Sequence, residues 1–316
     1  MFFMNRYLKS KRQAFTEYVS EVQQHICEQL EAVEDKKFRI EDWEREGFGY
    51  GSTRIIEDGK VIEKGGVNVS VVEGQLPEAM QKRFGVEESD FFVTGVSLVI
   101  HPRNPFAPTV HANYRYFELY EKDSGGLKDQ WFGGGADMTP YYLFPEDAIH
   151  FHEVHKNVCD KFNPLFYPKF KAECDVYFYN HHRNESRGIG GLFFDYVRPD
   201  EQHSADNLFE FSKKAGFAFT DAYLPILINR KAKEYTPEQR KWQEIRRGRY
   251  AEFNLIHDRG TLFGLKTKGR IESILMSLPP QVRWVYDYHP DPGSPEAKLL
   301  EHLKPIDWIN YKNKQP

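Results

Sequence analysis

The chain has only three cysteines among its 316 residues, at positions 27, 159 and 174. The odd count and the lack of any CxxC pair argue against a disulfide framework and against a thiolate zinc site. A reducing compartment, the cytoplasm, is therefore the expected location. No apolar run approaches the ~20 residues that a membrane-spanning helix needs, so we predict no transmembrane segment.

An excess of positive charge is also missing. The 43 Lys and Arg residues are outnumbered by 47 Asp and Glu residues, which gives a net charge of -4. No global positive field attracts nucleic acid or an anionic membrane, so we expect no nucleic-acid partner. The glycine-rich GFGYGS stretch lacks the spacing of a dinucleotide fingerprint, and GxxxxGK[ST] is absent. HFHEVH is not HExxH, which excludes the zincin pattern.

Aromatic residues are abundant, with 25 Phe, 18 Tyr and 5 Trp. They indicate either an aromatic core or a pocket for a large flat ligand. Hydrophobic periodicity predicts strands mixed with helices, which is typical of an α+β fold with one main sheet. The predicted strands include 91–101, 110–120 and a hairpin over 250–265, and the predicted helices are 10–34, 145–162, 164–184, 204–231, with a break or kink at Pro225, and 236–248.

The segment HPRNPFAPTVHANYR carries polar side chains on strand positions. Because side chains alternate along a strand, His111, Asn113 and Arg115 share one face. If the two strands pair with His101 opposite His111, Ser97 joins the same face. Polar groups that are buried without partners cost ~1–3 kcal/mol each, so a shared polar face favours a functional site.

Three interpretations of this face remain open. The histidines could bind a metal, with His152 or His182 as further ligands. One of them could transfer protons, because the ordinary pKa of histidine lies near neutrality. Alternatively, Arg115 could bind a carboxylate through two parallel hydrogen bonds, with neutral polar groups beside it.

Two further charged residues are candidates for ligand binding. Asp137 directly follows three glycines, where a ligand can approach closely, and its carboxylate could accept hydrogen bonds from ligand N–H groups. A turn or a helix cap would explain Asp137 equally well. Arg270 begins a predicted short helix and is a second candidate for carboxylate binding, with a surface arginine as the alternative.

Several long segments together resemble the oxygen-dependent coproporphyrinogen III oxidase family. They occur in family order and cover most of the chain from about residue 20. The matching segments are GVSLVIHPRNPFAPTVHANYR, WFGGGADMTPYY, EDAIHFH, YFYNHHRNESRGIGGLFFD, FTDAYLPI, RRGRYAEFNLIHDRGTLFGL, GRIESILMSLPP and DPGSPEA.

The resemblance implies an enzyme that oxidatively decarboxylates two propionates of coproporphyrinogen III to vinyl groups. The products are protoporphyrinogen IX, carbon dioxide and water, in haem and porphyrin biosynthesis. Molecular oxygen is the co-substrate, no organic cofactor is used, and some members carry a divalent metal. The resemblance further implies one domain over residues 1–316, a large flat antiparallel sheet covered by helices on both faces, and a homodimer formed through residues 250–285.

The resemblance also assigns roles to individual residues. It implies that His111, Asp137 and Arg270 are catalytic, with His111 as the proton donor and Asp137 beneath the macrocycle. The implied substrate-binding residues are Ser97, Asn113, Tyr114, Arg115, Lys268, Gly269 and Arg270. The positions that match a divalent metal site in some members are His101, His111, His152 and His182.

Overall fold

One antiparallel sheet organises the chain. The computed structural model describes residues 10–47, 49–122, 124–266 and 270–311. In this part of the chain, seven strands form a sheet in the order β1-β2-β3-β4-β5-β6-β9, and β7 pairs with β8 in a separate short hairpin. The strands are β1 Arg39–Arg45, β2 Gly49–Glu57, β3 Ile62–Gln75, β4 Ser89–Pro102, β5 Thr109–Glu121, β6 Leu127–Thr139, β7 Tyr179–Asn180, β8 Glu185–Ser186 and β9 Gly190–Val197.

Helices precede the sheet, interrupt it and follow it. Several begin at residues that suit a helix N-terminus: Ser10 caps α1, Pro145 opens α3, and Thr236 forms a capping box with Gln239 at α6. The helices are α1 Lys11–Glu31, α2 Glu78–Phe84, α3 Pro145–Asp160, α4 Phe166–Tyr177, α5 Ala205–Arg230, α6 Pro237–Ile256, α7 Arg259–Lys266, α8 Ile271–Leu275 and α9 Pro295–Glu301.

The main hydrophobic core lies between one face of the sheet and the helices α1, α3, α4 and α5. Even-numbered residues of β4 and β5 supply the sheet side of this core, because alternate side chains point to opposite faces. The fully buried Phe15 of α1, for example, packs against Tyr116 and Phe132. We call this side of the sheet the core face.

The opposite face of the sheet is covered only in part. At one end, Phe84 of α2 packs against Phe117 and Trp131. At the other end, Tyr250 of α6 contacts His101, and α8 covers the side formed by β2 and β3. We call the area between these covers the basin; its floor includes Asn68, Ser97, His111, Asn113 and Arg115. Helices on both faces of the sheet confirm the expected α+β class.

The hairpin predicted over 250–265 is wrong. Helix α6 continues to Ile256, and α7 occupies 259–266. From Trp242 to Asn254 most residues of α6 are buried, so no polar stripe marks the helical period in the sequence. The predicted helix over 164–184 ends at Tyr177, and β7 and β8 follow it. Pro225 lies inside α5 without ending the helix.

The predicted strand register is displaced by two residues. His111 lies opposite Val99, and Ser97 lies opposite Asn113. The pairing of β4 with β5 ends at Ile100 and Val110, so His101 has a strand partner only in β3, where it lies opposite Lys64. A shift of two residues preserves the face on which each side chain lies, so the predicted polar face is still formed.

Candidate active site

Strand β5 runs through the middle of the basin and supplies three of its polar side chains. The two neighbouring strands place small or functional residues beside each of them. The resulting rows of paired residues are Val99–His111–Asp137, Ser97–Asn113–Gly135 and Gly95–Arg115–Gly133.

Arg115 is held in the basin by two oxygen acceptors. Its Nη1 donates to Oδ1 of Asn113 at 2.7 Å, and its Nη2 lies 2.9 Å from Oδ1 of Asp195 on β9. The side chain crosses Gly133, where a Cβ atom would lie 2.8 Å from Nε of Arg115. Any larger residue at position 133 would displace the guanidinium, so the glycine gives Arg115 its place in the basin.

Asp137 links a buried arginine to a histidine at the basin floor. Its Oδ1 lies 2.9 Å from Nδ1 of His111 and accepts from Nη2 of Arg187 at 2.7 Å. Oδ2 of Asp137 accepts from Nε of Arg187 at 3.2 Å. The side chains of Asp137 and Arg187 are 1% and 2% exposed, whereas that of His111 is 22% exposed.

These contacts set the protonation of the group. Burial opposes ionisation of Asp137, but the charge of Arg187 and the hydrogen bond from His111 outweigh it and lower the pKa of the carboxyl. An ionised carboxylate only accepts, so Nδ1 of His111 carries a hydrogen. When His111 is neutral, its Nε2 then has the free lone pair, and this is the arrangement of a histidine that exchanges protons.

Arg187 is the buried partner of Asp137, and the sequence analysis did not single it out. Its Nη1 donates to Oδ1 of Asn254 at 2.8 Å. The guanidinium carbon also lies 4.1 Å from the ring centre of Phe178, 4.8 Å from that of Tyr250 and 4.7 Å from that of Phe253. These rings stabilise a buried cation. The string SRGIGG gave no signal that separated Arg187 from a surface arginine.

The other predicted arginine, Arg270, lies on the far side of the basin. It is the N-cap residue of α8 and forms an ion pair with Glu41 of β1. The helix is fastened to the sheet through Ser273, whose carbonyl accepts from Nδ2 of Asn68 at 2.9 Å and whose hydroxyl lies 3.0 Å from that of Thr53. Arg115 and Arg270 therefore lie on different elements, and each has an acidic partner.

Aromatic side chains border the basin on the β9 side. Phe193 stacks on Tyr177 with ring centres 4.0 Å apart, and the guanidinium of Arg259 lies 4.5 Å from the Tyr177 ring. The Tyr177 hydroxyl donates to Asp258 at 2.9 Å. None of these four residues was singled out as a site residue, because the sequence placed Asp258 and Arg259 in the turn of a predicted hairpin and Tyr177 inside a predicted helix.

The remaining predicted substrate residues do not all reach the basin. Tyr114 points to the core face, is 2% exposed, and donates its hydroxyl hydrogen to the carbonyl of Ala215. The Tyr114 side chain therefore lies on the opposite side of the sheet from the basin, because its neighbours along β5 take the basin face. Lys268 and Gly269 lie outside the described residues.

The four predicted metal ligands do not come together. Both ring nitrogens of His101 and of His152 are hydrogen-bonded to protein groups. His182, in the turn between β7 and β8 rather than at a helix end, contacts His257 and Glu252. Across the described ranges, no group of three or more His, Cys, Asp or Glu residues could hold a metal ion. The four histidines therefore do not fit one metal site.

A separate cavity of about 780 Å³ lies against the side of α6 that carries Trp242 and Arg246, with Trp284 in its wall. None of the predicted site residues lines it. The guanidinium of Arg246 is already paired with Glu185 through two contacts. We therefore assign the chemistry to the basin and not to this cavity.

Comparison with known proteins shows the family of the chain. The family model described as coproporphyrinogen III oxidase matches residues 14–308. This chain belongs to that family. The chain is 49% identical over 311 residues to coproporphyrinogen-III oxidase 1, chloroplastic, of Arabidopsis thaliana, with 95% of this chain and 80% of the relative covered. It is 49% identical over 303 residues to the oxygen-dependent coproporphyrinogen-III oxidase of Drosophila melanogaster, with 92% and 76% covered.

The coproporphyrinogen III oxidase match includes every residue of the basin floor and both arginines, Arg115 and Arg270. It also includes Arg187, Asp195 and Glu41, three charged partners that the sequence analysis did not single out. The family therefore shares the whole stretch of chain from which the basin is built.

Proposed function

We propose that the chain oxidatively decarboxylates two propionate side chains of coproporphyrinogen III to vinyl groups, giving protoporphyrinogen IX. Molecular oxygen is the oxidant, since relatives from Glycine max and Drosophila melanogaster are named oxygen-dependent coproporphyrinogen-III oxidases. The observation that carries the proposal is the hydrogen-bonded set of His111, Asp137 and Arg187, which lies beside Arg115 in a chain that belongs to the family.

The shape of the basin suits a large, flat substrate. Small residues form much of its floor, which leaves room for a macrocycle to approach the sheet closely. The small residues that face this side are Ser70, Gly95, Ser97 and Gly135, whereas Met276 covers Gly66 and the Arg115 side chain covers Gly133. Aromatic side chains at both ends of the basin offer apolar walls to the ring.

Arg115 and Arg270 are the groups that we propose to bind carboxylates. Each already has an acidic partner, Asp195 or Glu41. A propionate of the substrate would take over part of this pairing and fix the reacting carbon relative to the sheet. Most of the rate enhancement that these arginines supply would then come from positioning.

His111 is the group that we propose to exchange protons with the substrate. Asp137 holds its Nδ1–H and leaves Nε2 for the reacting atoms. Asp137 itself is 1% exposed and bound twice by Arg187, so its main effect passes through His111. Direct hydrogen bonding from pyrrole N–H groups to Asp137 stays a prediction that requires this carboxylate to become accessible.

A homodimer formed through residues 250–285 is also a proposal. This stretch carries large apolar side chains that are exposed in the single chain, and burying them against a second copy would stabilise a dimer. They are Leu255, Ile256, Leu265, Ile271 and Trp284. Sedimentation velocity should then show a dimer that Ile256→Glu converts to monomer.

Location and domain organisation complete the proposal. Among the helices that the structure describes, none is both long and apolar enough to cross a membrane. A cytoplasmic location is proposed although two relatives are named chloroplastic. We also propose that residues 1–316 form one domain, since helices from both halves of the chain pack on the same sheet.

The proposal is tested by aerobic incubation with coproporphyrinogen III, followed by chromatography of the oxidised porphyrins. Parallel samples are kept anoxic or treated with chelator, and His111→Asn is compared with the exposed control His289→Asn. Vinyl product that requires oxygen and His111 supports the proposal. Porphyrin that stays bound but unconverted would identify a tetrapyrrole carrier instead, and activity that chelator abolishes and a metal restores would establish a metal-dependent oxidase.

A further inference from the structure

His101 joins the sheet to the turn that follows α8. It is fully buried at the end of β4. Its Nε2 lies 2.9 Å from the carbonyl oxygen of Ser277, and its Nδ1 lies 3.0 Å from the hydroxyl of Thr109. A carbonyl oxygen only accepts, so Nε2 must carry the hydrogen. In the neutral ring, Nδ1 then accepts from Thr109.

The hydrogen bond to Thr109 is one step of a longer chain with a single direction. The Thr109 hydroxyl lies 2.5 Å from that of Tyr141, and Nε of Arg247 donates to Tyr141 at 3.3 Å. Arg247 is completely buried, and its other nitrogens donate to Glu63 and to the carbonyl of Pro102. Because this guanidinium can only donate, each group along the chain accepts a hydrogen bond from the group before it and donates to the next. The last donor is His101, and the last acceptor is the Ser277 carbonyl beside α8.

The far end of the chain holds a helix that cannot be stable alone. Helix α8 has only five residues, far fewer than an isolated helix needs. Ser277 closes its last turn, since its hydroxyl donates to the carbonyl of Ile274 at 2.9 Å. Arg270 is the first residue of the same short unit. Any contact that fixes Ser277 therefore also limits where Arg270 can lie.

We propose that His101 is a positioning residue that holds α8, and with it the guanidinium of Arg270, over the basin. The inference rests on the proposed function, in which Arg270 binds a propionate. His101 acts through the Ser277 carbonyl and touches neither substrate nor metal. His101 lies in β4 directly before a proline-rich loop, so the backbone that carries the imidazole is held in place.

The test compares His101→Leu, which removes the donor to Ser277, with His101→Gln, whose amide N–H can restore it. In hydrogen–deuterium exchange, we expect peptides that cover 270–278 to exchange about tenfold faster in His101→Leu than in the wild type. The kcat/KM for coproporphyrinogen III should fall about tenfold, because a displaced Arg270 no longer holds the propionate in the reacting position. His101→Gln should recover most of both effects.

Two further variants keep the result interpretable. Thr109→Val removes the partner of Nδ1 and should give a smaller increase in exchange in the same peptides. His155→Leu removes another fully buried histidine, for which no contact with α8 is found in the described residues, and should leave exchange over 270–278 unchanged. If His101→Leu fails to fold, Thr109→Val carries the test alone.

Unchanged exchange over 270–278 in His101→Leu would overturn the inference. So would faster exchange with an unchanged kcat/KM, or recovery of activity by added Mn²⁺ or Mg²⁺, which would make His101 a metal ligand. Failure of the proposed function looks different, because the wild type itself would not convert coproporphyrinogen III. The exchange experiment needs no substrate, so it would still decide whether His101 anchors α8.

Discussion

Arg187 and Asp137 form a buried ion pair with two hydrogen bonds, from Nη2 to Oδ1 at 2.7 Å and from Nε to Oδ2 at 3.2 Å. The pair lies behind His111, so the histidine is the only one of these three side chains that is partly exposed. Removing one partner of a buried pair leaves an uncompensated charge. This relationship determines how substitutions of the three residues should be interpreted.

Asp137→Ala should reduce both stability and turnover. It leaves Arg187 buried without its carboxylate, and we expect a loss of about 3–5 kcal/mol in the free energy of unfolding. Asp137→Asn keeps a hydrogen-bond acceptor for His111 and should lose less stability, yet it should still lose turnover. Urea unfolding and kcat measured on both variants separate the two effects. Full activity in folded Asp137→Asn would remove the carboxylate from the mechanism.

Asp137 and Arg187 should be strongly coupled. We expect Asp137→Asn combined with Arg187→Met to be less destabilising than the sum of the two single substitutions, because the double variant has no unpaired charge. The coupling energy should be about 1–3 kcal/mol in a double-mutant cycle of urea unfolding. Additive effects would show that the two side chains do not share the contact.

His111→Asn should lower kcat by about 10²–10⁴-fold with little change in stability, since the side chain is partly exposed and lies at the basin floor. The loss should appear in kcat rather than in KM, because the variant binds substrate but lacks the group that exchanges protons. A stopped assay of kcat and KM on the wild type and the variant tests this. A folded variant that keeps the wild-type kcat would exclude His111 from proton transfer.

Arg115 should be sensitive both to its own chemistry and to the glycine beneath it. Arg115→Lys loses the second parallel hydrogen bond and should raise KM about 10–100-fold. Gly133→Ala keeps Arg115 itself but puts a Cβ 2.8 Å from its Nε. The guanidinium should therefore shift, and KM should rise several-fold. Similar melting temperatures for both variants and the wild type would confirm a local effect. An unchanged KM in Gly133→Ala would mean that Arg115 has other usable positions.

Acid should destabilise the fold through its buried histidines. Burial lowers the pKa of His152 to about 3 and that of His155 to about 4, from 6.5. The unfolded chain binds these protons below pH 6.5 and the folded chain does not, so stability is full above pH 6.5 and falls towards pH 4 and 3. When the pH falls from 7 to 5, the wild type should lose about 2 kcal/mol more in the free energy of unfolding than His155→Leu loses, because the variant lacks this buried histidine. Urea midpoints at both pH values test this, and identical pH dependence in the variant would contradict it.

The sequence predicted the basin better than it predicted the contacts within it. Period-two alternation in β4 and β5 was enough to place Ser97, His111 and Asn113 on one face, because that property survives a register error of two residues. Arg187 and Asp195 were not found, because they contact Asp137 and Arg115 only once β9 and the residues just before it are placed beside β6. Contacts between distant segments leave no local pattern.

The errors in the helices have a similar physical origin. The sequence of α6 suggests a strand after Gly248 because aromatic and aliphatic residues alternate with polar ones there. In the fold, the same polar residues are buried and paired, as Asn254 is with Arg187. The identity of a helix that is buried nearly all round is decided by its neighbours.

The alternation along β5 also restricts which length changes this protein could survive in evolution. Insertion of one residue before His111 would turn the polar side chains of the basin floor into the hydrophobic core and would turn Ala112, Tyr114 and Tyr116 towards the basin. Insertion of two residues would keep each side chain on its own side. Single-residue changes are tolerable only where the ladder already slips, between Leu119 and Tyr120 or between Phe132 and Gly134. Elsewhere in β5 and β6, length variation should therefore occur in even steps.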